Sequence, residues 1–159
     1  MYDILVAGHE DRLKHFLAKQ PLPHWMKFSL ILGQPGIGKT WFLSYVLVRR
    51  LLEGKPTIFQ VANHLSNPVG FTEATHYLIN GNGVHPMPDT PSFSELNNPE
   101  IWVLADQMPV GAARTADHSW LVVVSSSPRK ENIHRLNKDY APQTYYLPAW
   151  DWEEVVAAA

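Results

Sequence analysis

The fold is decided by the segment FSLIL-GQPGIGKT-WFLSYVLVRRLLE, residues 28–53, which has the pattern of a strand, a glycine-rich turn and a helix. Phe28–Leu32 is a compact apolar run that ends at a glycine, and this pattern predicts a buried strand. Residues 39–53 contain neither proline nor glycine, so they predict a helix that Gly54 would terminate. A second apolar run, 57–61, follows closely and completes a predicted βαβ unit.

The turn at residues 33–40, called the glycine loop below, carries the P-loop pattern of glycine, four residues, glycine, lysine and serine or threonine. Its glycines allow backbone N–H groups to turn inward around phosphate oxygens at the positive end of the following helix. Lys39 would act as a catalytic residue on the β- and γ-phosphates of a nucleoside triphosphate, and the Thr40 hydroxyl would ligate Mg²⁺. The predicted nucleotide-contacting residues are Gln34, Pro35, Gly36, Ile37, Gly38, Lys39, Thr40 and Trp41.

An acidic residue at the end of a later strand would complete the metal site. Asp106 directly follows the apolar run 101–105 and is the predicted second metal ligand and a catalytic residue. Gln107 stands where many P-loop ATPases carry a catalytic glutamate, and a glutamine can orient a water but cannot accept its proton. Glu95 and Glu100 precede the strand and stay open as alternative bases, against the simpler interpretation that they are exposed loop carboxylates.

A serine-rich segment follows another predicted strand, residues 120–125, and reads Ser125-Ser126-Ser127-Pro128-Arg129. Short polar side chains at the carboxyl end of a central strand lie close to a bound phosphate in α/β folds of this kind. We therefore predict that Ser126 and the catalytic residue Arg129 sense the γ-phosphate. The alternative, which carries equal weight, is that they cap a predicted helix at 129–138 or lie exposed at the surface.

The whole chain, residues 1–159, fits one α/β domain with a loop excursion at about 62–99. Strand composition at 75–79, turn residues at 80–83 and a short return at 84–85 predict a hairpin outside the main sheet. A short helix is predicted within 10–19, a last strand at 144–147 and a final helix at 152–158. The expected architecture is a three-layer core, with a mainly parallel sheet flanked by helices and no C-terminal helical lid.

Composition narrows the classes of partner. The 159 residues include 13 Lys and Arg against 15 Asp and Glu, for a net charge of −2, which gives no electrostatic footprint for nucleic acid or an anionic membrane. No cysteine is present, which excludes disulfides, a thiol nucleophile and cysteine-ligated metals. No signal sequence or apolar run of about 20 residues appears, so an intracellular, cytoplasmic location is expected.

The nucleobase is left open by the sequence. Asn137-Lys138-Asp139-Tyr140 is similar to the guanine-reading Asn-Lys-x-Asp motif, but its aspartate stands one position early, so both ATP and GTP remain candidates. The eight histidines show no His-x-x-x-His spacing, which argues against a zinc site. The aromatic residues lack a surrounding basic cluster, so we interpret them as packing residues rather than base-stacking platforms.

At these motifs the chain resembles STAND-like P-loop ATPases, and more closely the nucleotide-binding module of Crinkler and retrotransposon-hot-spot (RHS-type) proteins of fungi and other eukaryotes. Residues 6–10 resemble the short motif that borders the nucleotide base in that group, with His9 in place of its arginine. Residues 33–43 with 49–56 resemble the family's phosphate loop with its helix and next strand. Residues 101–106 resemble its metal-binding strand, 123–129 its sensing segment and 145–154 its last strand.

The resemblance implies binding of a nucleoside triphosphate and its hydrolysis, in a module that relatives often carry fused to effector domains. We therefore expect a minimal domain that binds and hydrolyses ATP or GTP with Mg²⁺. A nucleotide-dependent switch that does not hydrolyse its ligand, which Gln107 favours, is the main alternative. A phosphotransferase with an acceptor site in residues 80–99 is a weaker one. A protein partner or a fused effector is compatible with either of the first two.

Overall fold

The structure is a computed structural model that describes residues 2–18, 27–62, 74–87, 97–106, 119–129, 133–134, 137–138 and 141–149. Its elements in chain order are α1 (Tyr2–Ala18), β1 (Phe28–Leu32), α2 (Lys39–Leu52), β2 (Thr57–Ala62), β3 (Ala74–Asn80), β4 (Gly83–Pro86), β5 (Trp102–Ala105), β6 (Leu121–Ser126) and β7 (Gln143–Tyr146). Residues 133–134 and 137–138 are helical, as the predicted helix at 129–138 requires. The predicted final helix at 152–158 lies outside the described residues.

The seven strands form one mixed sheet in the order β4-β3-β2-β5-β6-β1-β7. Five neighbouring strands, from β2 to β7 in that order, run parallel to one another. The hairpin of β3 and β4 adds two antiparallel strands to the edge at β2. The sheet is therefore only partly parallel, and the predicted hairpin exists but extends the main sheet instead of leaving it. The hairpin belongs to the sheet because β3 pairs with β2 along the full length of β2, from Thr57 opposite Ile79 to Ala62 opposite Ala74.

Side chains alternate between two buried faces of the central strands, as expected for strands that are covered on both sides. One face packs against both long helices, and its cluster comprises Leu13, Phe16, Ile31, Phe42, Leu43, Val46, Leu104, Val123, Tyr145 and Leu147. We call it the helix face. The other face comprises Phe28, Leu30, Leu32, Ile58, Ile101, Val103, Trp120, Val122 and Val124. Ile133 and two residues of the hairpin segment, Leu78 and Met87, pack against this second face.

Both long helices of the described residues thus cover the same side of the sheet. Phe16 of α1 meets Phe42 of α2 edge to face, with ring centroids 6.3 Å apart. The two-layer part of the predicted architecture is visible, whereas a third layer of helices is not established by the residues that the structure describes. Helix α1 begins at Tyr2, well before the predicted start, and it includes the residue 6–10 motif.

Helix α2 ends in a Schellman motif, in which a residue of left-handed conformation turns the chain out of the helix. Gly54 has φ 69°, its N–H donates to the Leu51 carbonyl, and the Lys55 N–H donates to the Arg50 carbonyl. Glycine has no Cβ to oppose this conformation, so its position confirms the predicted helix end. The short connection that follows leads directly into β2.

Arg50 connects the end of α2 by hydrogen bonds to the amino ends of β2 and β5. Its guanidinium donates to the Thr57 hydroxyl at 3.0 Å and to the carbonyls of Pro56 at 3.1 Å and Glu100 at 2.5 Å. It also lies 4.2 Å from the centre of the Trp102 ring. The Arg50 side chain is buried and acts as a structural anchor.

No helix among the described residues is long and apolar enough to span a bilayer.

Candidate functional site

The glycine loop connects β1 to α2 in a tight turn that depends on its glycines. Gly36 and Gly38 have φ angles of 81° and 84°, a region that other residues rarely adopt. A Cβ atom at Gly33 would lie 2.8 Å from the Cγ2 atom of Ile37, closer than real side chains approach. The Ile37 N–H donates to the Gln34 carbonyl at 3.3 Å and closes the turn. The loop therefore has the compact backbone that its sequence predicts.

Lys39 folds back across the glycine loop. Its ammonium donates to the carbonyls of Gly33 and Gln34, both at 2.9 Å. The side chain is thereby held over the loop at the start of α2, where backbone N–H groups and the helix dipole also favour an anion. A positive charge and a helix amino end thus coincide at one point of the structure.

Asp106 joins this loop to the centre of the sheet. The Thr40 hydroxyl, at the start of α2, donates to Oδ2 of Asp106 at 2.5 Å. The Ser125 hydroxyl, at the end of β6, donates to Oδ1 of the same carboxylate. Thr40 and Asp106 are 66 positions apart in sequence, and Asp106 and Ser125 are 19 positions apart. The fold therefore brings together Thr40 and Asp106, the two residues predicted as metal ligands. It also places a third residue, Ser125, against the same carboxylate.

Strand alternation explains why these side chains meet. Leu104 and Val123 both lie on the helix face and are register partners in β5 and β6. Because side chains of a strand repeat with period two, Asp106 and Ser125 follow on the same face, two residues later. The glycine loop leads to α2 on this same face. Register and side-chain period together thus place hydroxyl and carboxylate groups at one carboxyl edge of the sheet.

The donor atoms of this group fit a magnesium ion. Thr40 supplies a hydroxyl oxygen and Asp106 a carboxylate oxygen, and hard oxygen ligands of this kind are those that Mg²⁺ prefers. Mg²⁺ is commonly held by one or two such protein groups together with substrate phosphates and waters. No group of three or more His, Asp or Glu residues in the described parts of the chain could bind a metal by itself.

Among the described residues, no hydrogen bond or ion pair joins Ser126, Arg129 or Trp41 to this group. Ser126 lies on the opposite face from Asp106, since it follows Val124 by two positions, and its hydroxyl donates to the Ser127 carbonyl at 3.3 Å. Arg129 is exposed. Trp41 is 72% exposed on α2. Gln107 lies outside the described residues. The sensing, nucleotide-contacting and water-orienting roles of these residues therefore stay predictions.

The alternative base Glu100 lies at the wrong end of β5. It precedes the strand, whereas Asp106 follows it, and six residues at about 3.3 Å each separate the two by roughly 20 Å. Its backbone carbonyl accepts a hydrogen bond from the Arg50 guanidinium at the amino edge of the sheet. Glu100 therefore cannot act at the glycine loop of its own chain. The other alternative, Glu95, lies outside the described residues.

Ser125 is the site residue that sequence reasoning missed, because the prediction selected the neighbouring serine. The signal was present in the alternation of β6, where Val123 and Ser125 share the face of Asp106 and Ser126 does not. Ser125 is only 2% exposed. A buried hydroxyl that is bonded to a carboxylate distinguishes it from the half-buried serines, 126 and 127, of the same segment.

Comparison with known proteins gives two similar proteins and no family. No protein-family model matches the chain. The chain is 29% identical over 140 residues to Crinkler effector proteins 15 and 16 of Phytophthora infestans. The match covers 84% of this chain but 21% of each relative, so the chain spans about a fifth of their length. These relatives come from an oomycete and not from a fungus, which corrects the fungal source implied by the resemblance.

Proposed function

We propose that the chain binds a nucleoside triphosphate with Mg²⁺ at the glycine loop and hydrolyses its β–γ bond. The observation that carries the proposal is the contact between Thr40 and Asp106, which are 66 positions apart in sequence, at the end of a glycine loop that also holds the Lys39 ammonium. Sequence motif and geometry support one another here, because an accidental glycine turn has no reason to place a lysine, a hydroxyl and a carboxylate at one edge of a sheet.

The roles of the individual residues follow from their chemistry. Backbone N–H groups of the loop would bind phosphate oxygens, and Lys39 would exchange its two carbonyl partners for the β- and γ-phosphates. Thr40 and Asp106 would hold Mg²⁺, which supplies charge neutralisation at the transferred phosphate. Since the chain has a net charge of only −2, phosphate recognition would rest on this one site and not on a basic surface.

The relatives support a modular interpretation. Both are named as Crinkler effector proteins, and the matching region is a fifth of their length. We propose that this chain corresponds to a nucleotide-binding module within proteins of that kind, in which other segments carry the effector activity. The choice between ATP and GTP stays open at this level.

A second candidate function is a nucleotide-dependent switch that binds its ligand without hydrolysis. Among the carboxylates that the structure describes, only Asp106 lies at the glycine loop, and both of its oxygens accept hydroxyl hydrogen bonds. A carboxylate engaged as a metal ligand is a poor general base. A phosphotransferase is less well supported, because the 80–83 turn lies at the amino edge of β2, away from the glycine loop.

Phosphate release from ATP and from GTP, measured with wild type and Lys39→Ala, tests the proposal. Lys14→Ala is the matched control, since Lys14 is an exposed lysine of α1 that pairs with Asp11 at 3.4 Å. We expect turnover by wild type and Lys14→Ala and a loss of at least tenfold in Lys39→Ala. Equal rates in all three proteins would refute hydrolysis at this site. Magnesium-dependent binding without phosphate release would select the switch instead.

A further inference from the structure

Asp106 is held from two sides, and the two hydrogen bonds differ in character. Thr40 is an exposed residue at the start of α2, in the segment that would contact nucleotide. Ser125 is 2% exposed and belongs to β6, which is hydrogen-bonded on both sides, to β1 and to β5. The bond from Ser125 therefore connects an exposed carboxylate to one of the most constrained strands of the sheet.

The position of β6 in the sheet explains how the hydrogen bond from Ser125 orients the Asp106 carboxylate. Strand β6 lies between β1, which leads into the glycine loop, and β5, which leads into Asp106. A side chain at its carboxyl end that faces α2 can reach the carboxylate of the neighbouring strand. Because Ser125 occupies Oδ1 of Asp106, the other oxygen, Oδ2, is directed toward Thr40. The carboxylate thus has one anchored oxygen and one that faces the proposed metal position.

We propose that Ser125 is a positioning residue for the metal-binding carboxylate and not a sensor of the γ-phosphate. This inference rests on the proposed function, since it assigns a role within the same magnesium site. Groups that hydrogen-bond to a metal ligand fix its orientation, and their removal commonly costs 10- to 100-fold in metal affinity. Ser125 would accordingly act on every magnesium–nucleotide complex, whether or not a γ-phosphate is present.

The test is a comparison of ATP and ADP binding in excess MgCl₂ and in EDTA, by calorimetry or with fluorescent nucleotide analogues. The quantity of interest is the metal-dependent gain, the ratio of the Kd in EDTA to the Kd in MgCl₂. We expect Ser125→Ala to lower this gain by about tenfold, by the same factor for ATP and ADP. The Kd in EDTA should be unchanged, and this value also shows that the variant is folded.

Three further proteins sharpen the test: Ser44→Ala, Asp106→Asn, and Ser125→Ala combined with Asp106→Asn. Ser44→Ala removes a serine hydroxyl that donates to the Thr40 backbone carbonyl inside α2, so it should keep the wild-type gain. Asp106→Asn provides a double-mutant cycle, because a residue that acts only through Asp106 loses its effect when that carboxylate is absent. Ser125→Ala should therefore lower the gain in the wild-type background and leave it unchanged in the Asp106→Asn background.

The outcomes separate this proposal from the proposed function. A wild-type gain in Ser125→Ala, or a loss confined to ATP, would overturn the positioning role while nucleotide binding itself stands. A loss of equal size in the Asp106→Asn background, or weaker binding in EDTA, would show that Ser125 acts on the loop as a whole and would also overturn it. If the wild type binds neither nucleotide, the proposed function fails, and this inference fails with it.

Discussion

Replacement of Arg50 by alanine should destabilise the protein far more than the same change at its neighbour Arg49. Arg50 is 6% exposed and donates hydrogen bonds to one hydroxyl and two carbonyls while it contacts the Trp102 ring. Arg49 makes an ion pair with Glu10 at 3.8 Å, and the side chains of both residues are about 40% exposed. The two adjacent arginines thus represent a buried anchor and a surface pair within one helix turn.

The magnitude follows from the groups that each change leaves behind. A hydrogen bond from a charged donor contributes about 1.5–3 kcal/mol, and truncation of Arg50 leaves three acceptors at the sheet edge without their donor. Burial opposes the stabilisation from these hydrogen bonds, because it disfavours the charged guanidinium and lowers the pKa of Arg50 to about 10. We therefore expect a net loss of about 3 kcal/mol for Arg50→Ala. An exposed ion pair contributes about 0.2–1 kcal/mol, which sets the expected loss for Arg49→Ala.

Urea unfolding and thermal unfolding of the three proteins measure this difference. For a chain of this length each kcal/mol corresponds to about 2–4 °C in Tm, so Arg50→Ala should melt roughly 6–12 °C below the wild type. Arg49→Ala should melt within about 4 °C of it. If Arg50→Ala lost no more stability than Arg49→Ala, the anchoring role assigned to Arg50 would be wrong.

Three further predictions concern backbone and burial. Gly33→Ala should cost about 1 kcal/mol through its clash with Ile37, and Ile37→Ala should reduce that cost; urea unfolding of the double variant with its parents checks this. Gly54→Ala should cost about 1–2 kcal/mol because φ is 69° at this residue. A Cβ atom at Gly81 would likewise meet no atom within 4 Å, but Gly81 lacks a positive φ, so Gly81→Ala should be nearly neutral. Similar Tm values for the two variants would contradict this. Burial raises the pKa of the Tyr145 phenol above 10, so stability that is present below about pH 10 is lost as pH rises further, and Tyr145→Phe should make this decline shallower in urea unfolding.

The strands and α2 were predictable because their signals are local. The apolar runs at β1, β5 and β6 are bounded by glycine or polar residues, and the turn at 80–83 carries hairpin chemistry. Helix α2 has an unbroken sequence between the glycine loop and Gly54. In each case a few neighbouring residues decide the conformation, so the sequence suffices.

The parts that the sequence did not predict depend on which face a residue occupies. Arg50 follows Val46 by four positions and therefore shares its buried face of α2, although its charge suggested a surface position. Ser125, and not Ser126, shares the face of Asp106. Helical and strand periods contain both signals, but residue type alone favours the opposite conclusion. Pairing of the hairpin to β2 depends on contacts that are distant in sequence.

Calorimetric titration of wild type and Lys39→Ala with ATP and with GTP, in MgCl₂, tests the central claim most directly. The proposed site predicts binding of at least one nucleotide by the wild type, weakened at least tenfold by Lys39→Ala because the loop loses its one charged phosphate contact. Lys14→Ala should bind like the wild type, as an exposed lysine away from the loop. Absence of nucleotide binding by the wild type, or equal affinity of wild type and Lys39→Ala, would contradict the assignment of residues 33–40 as a phosphate-binding loop.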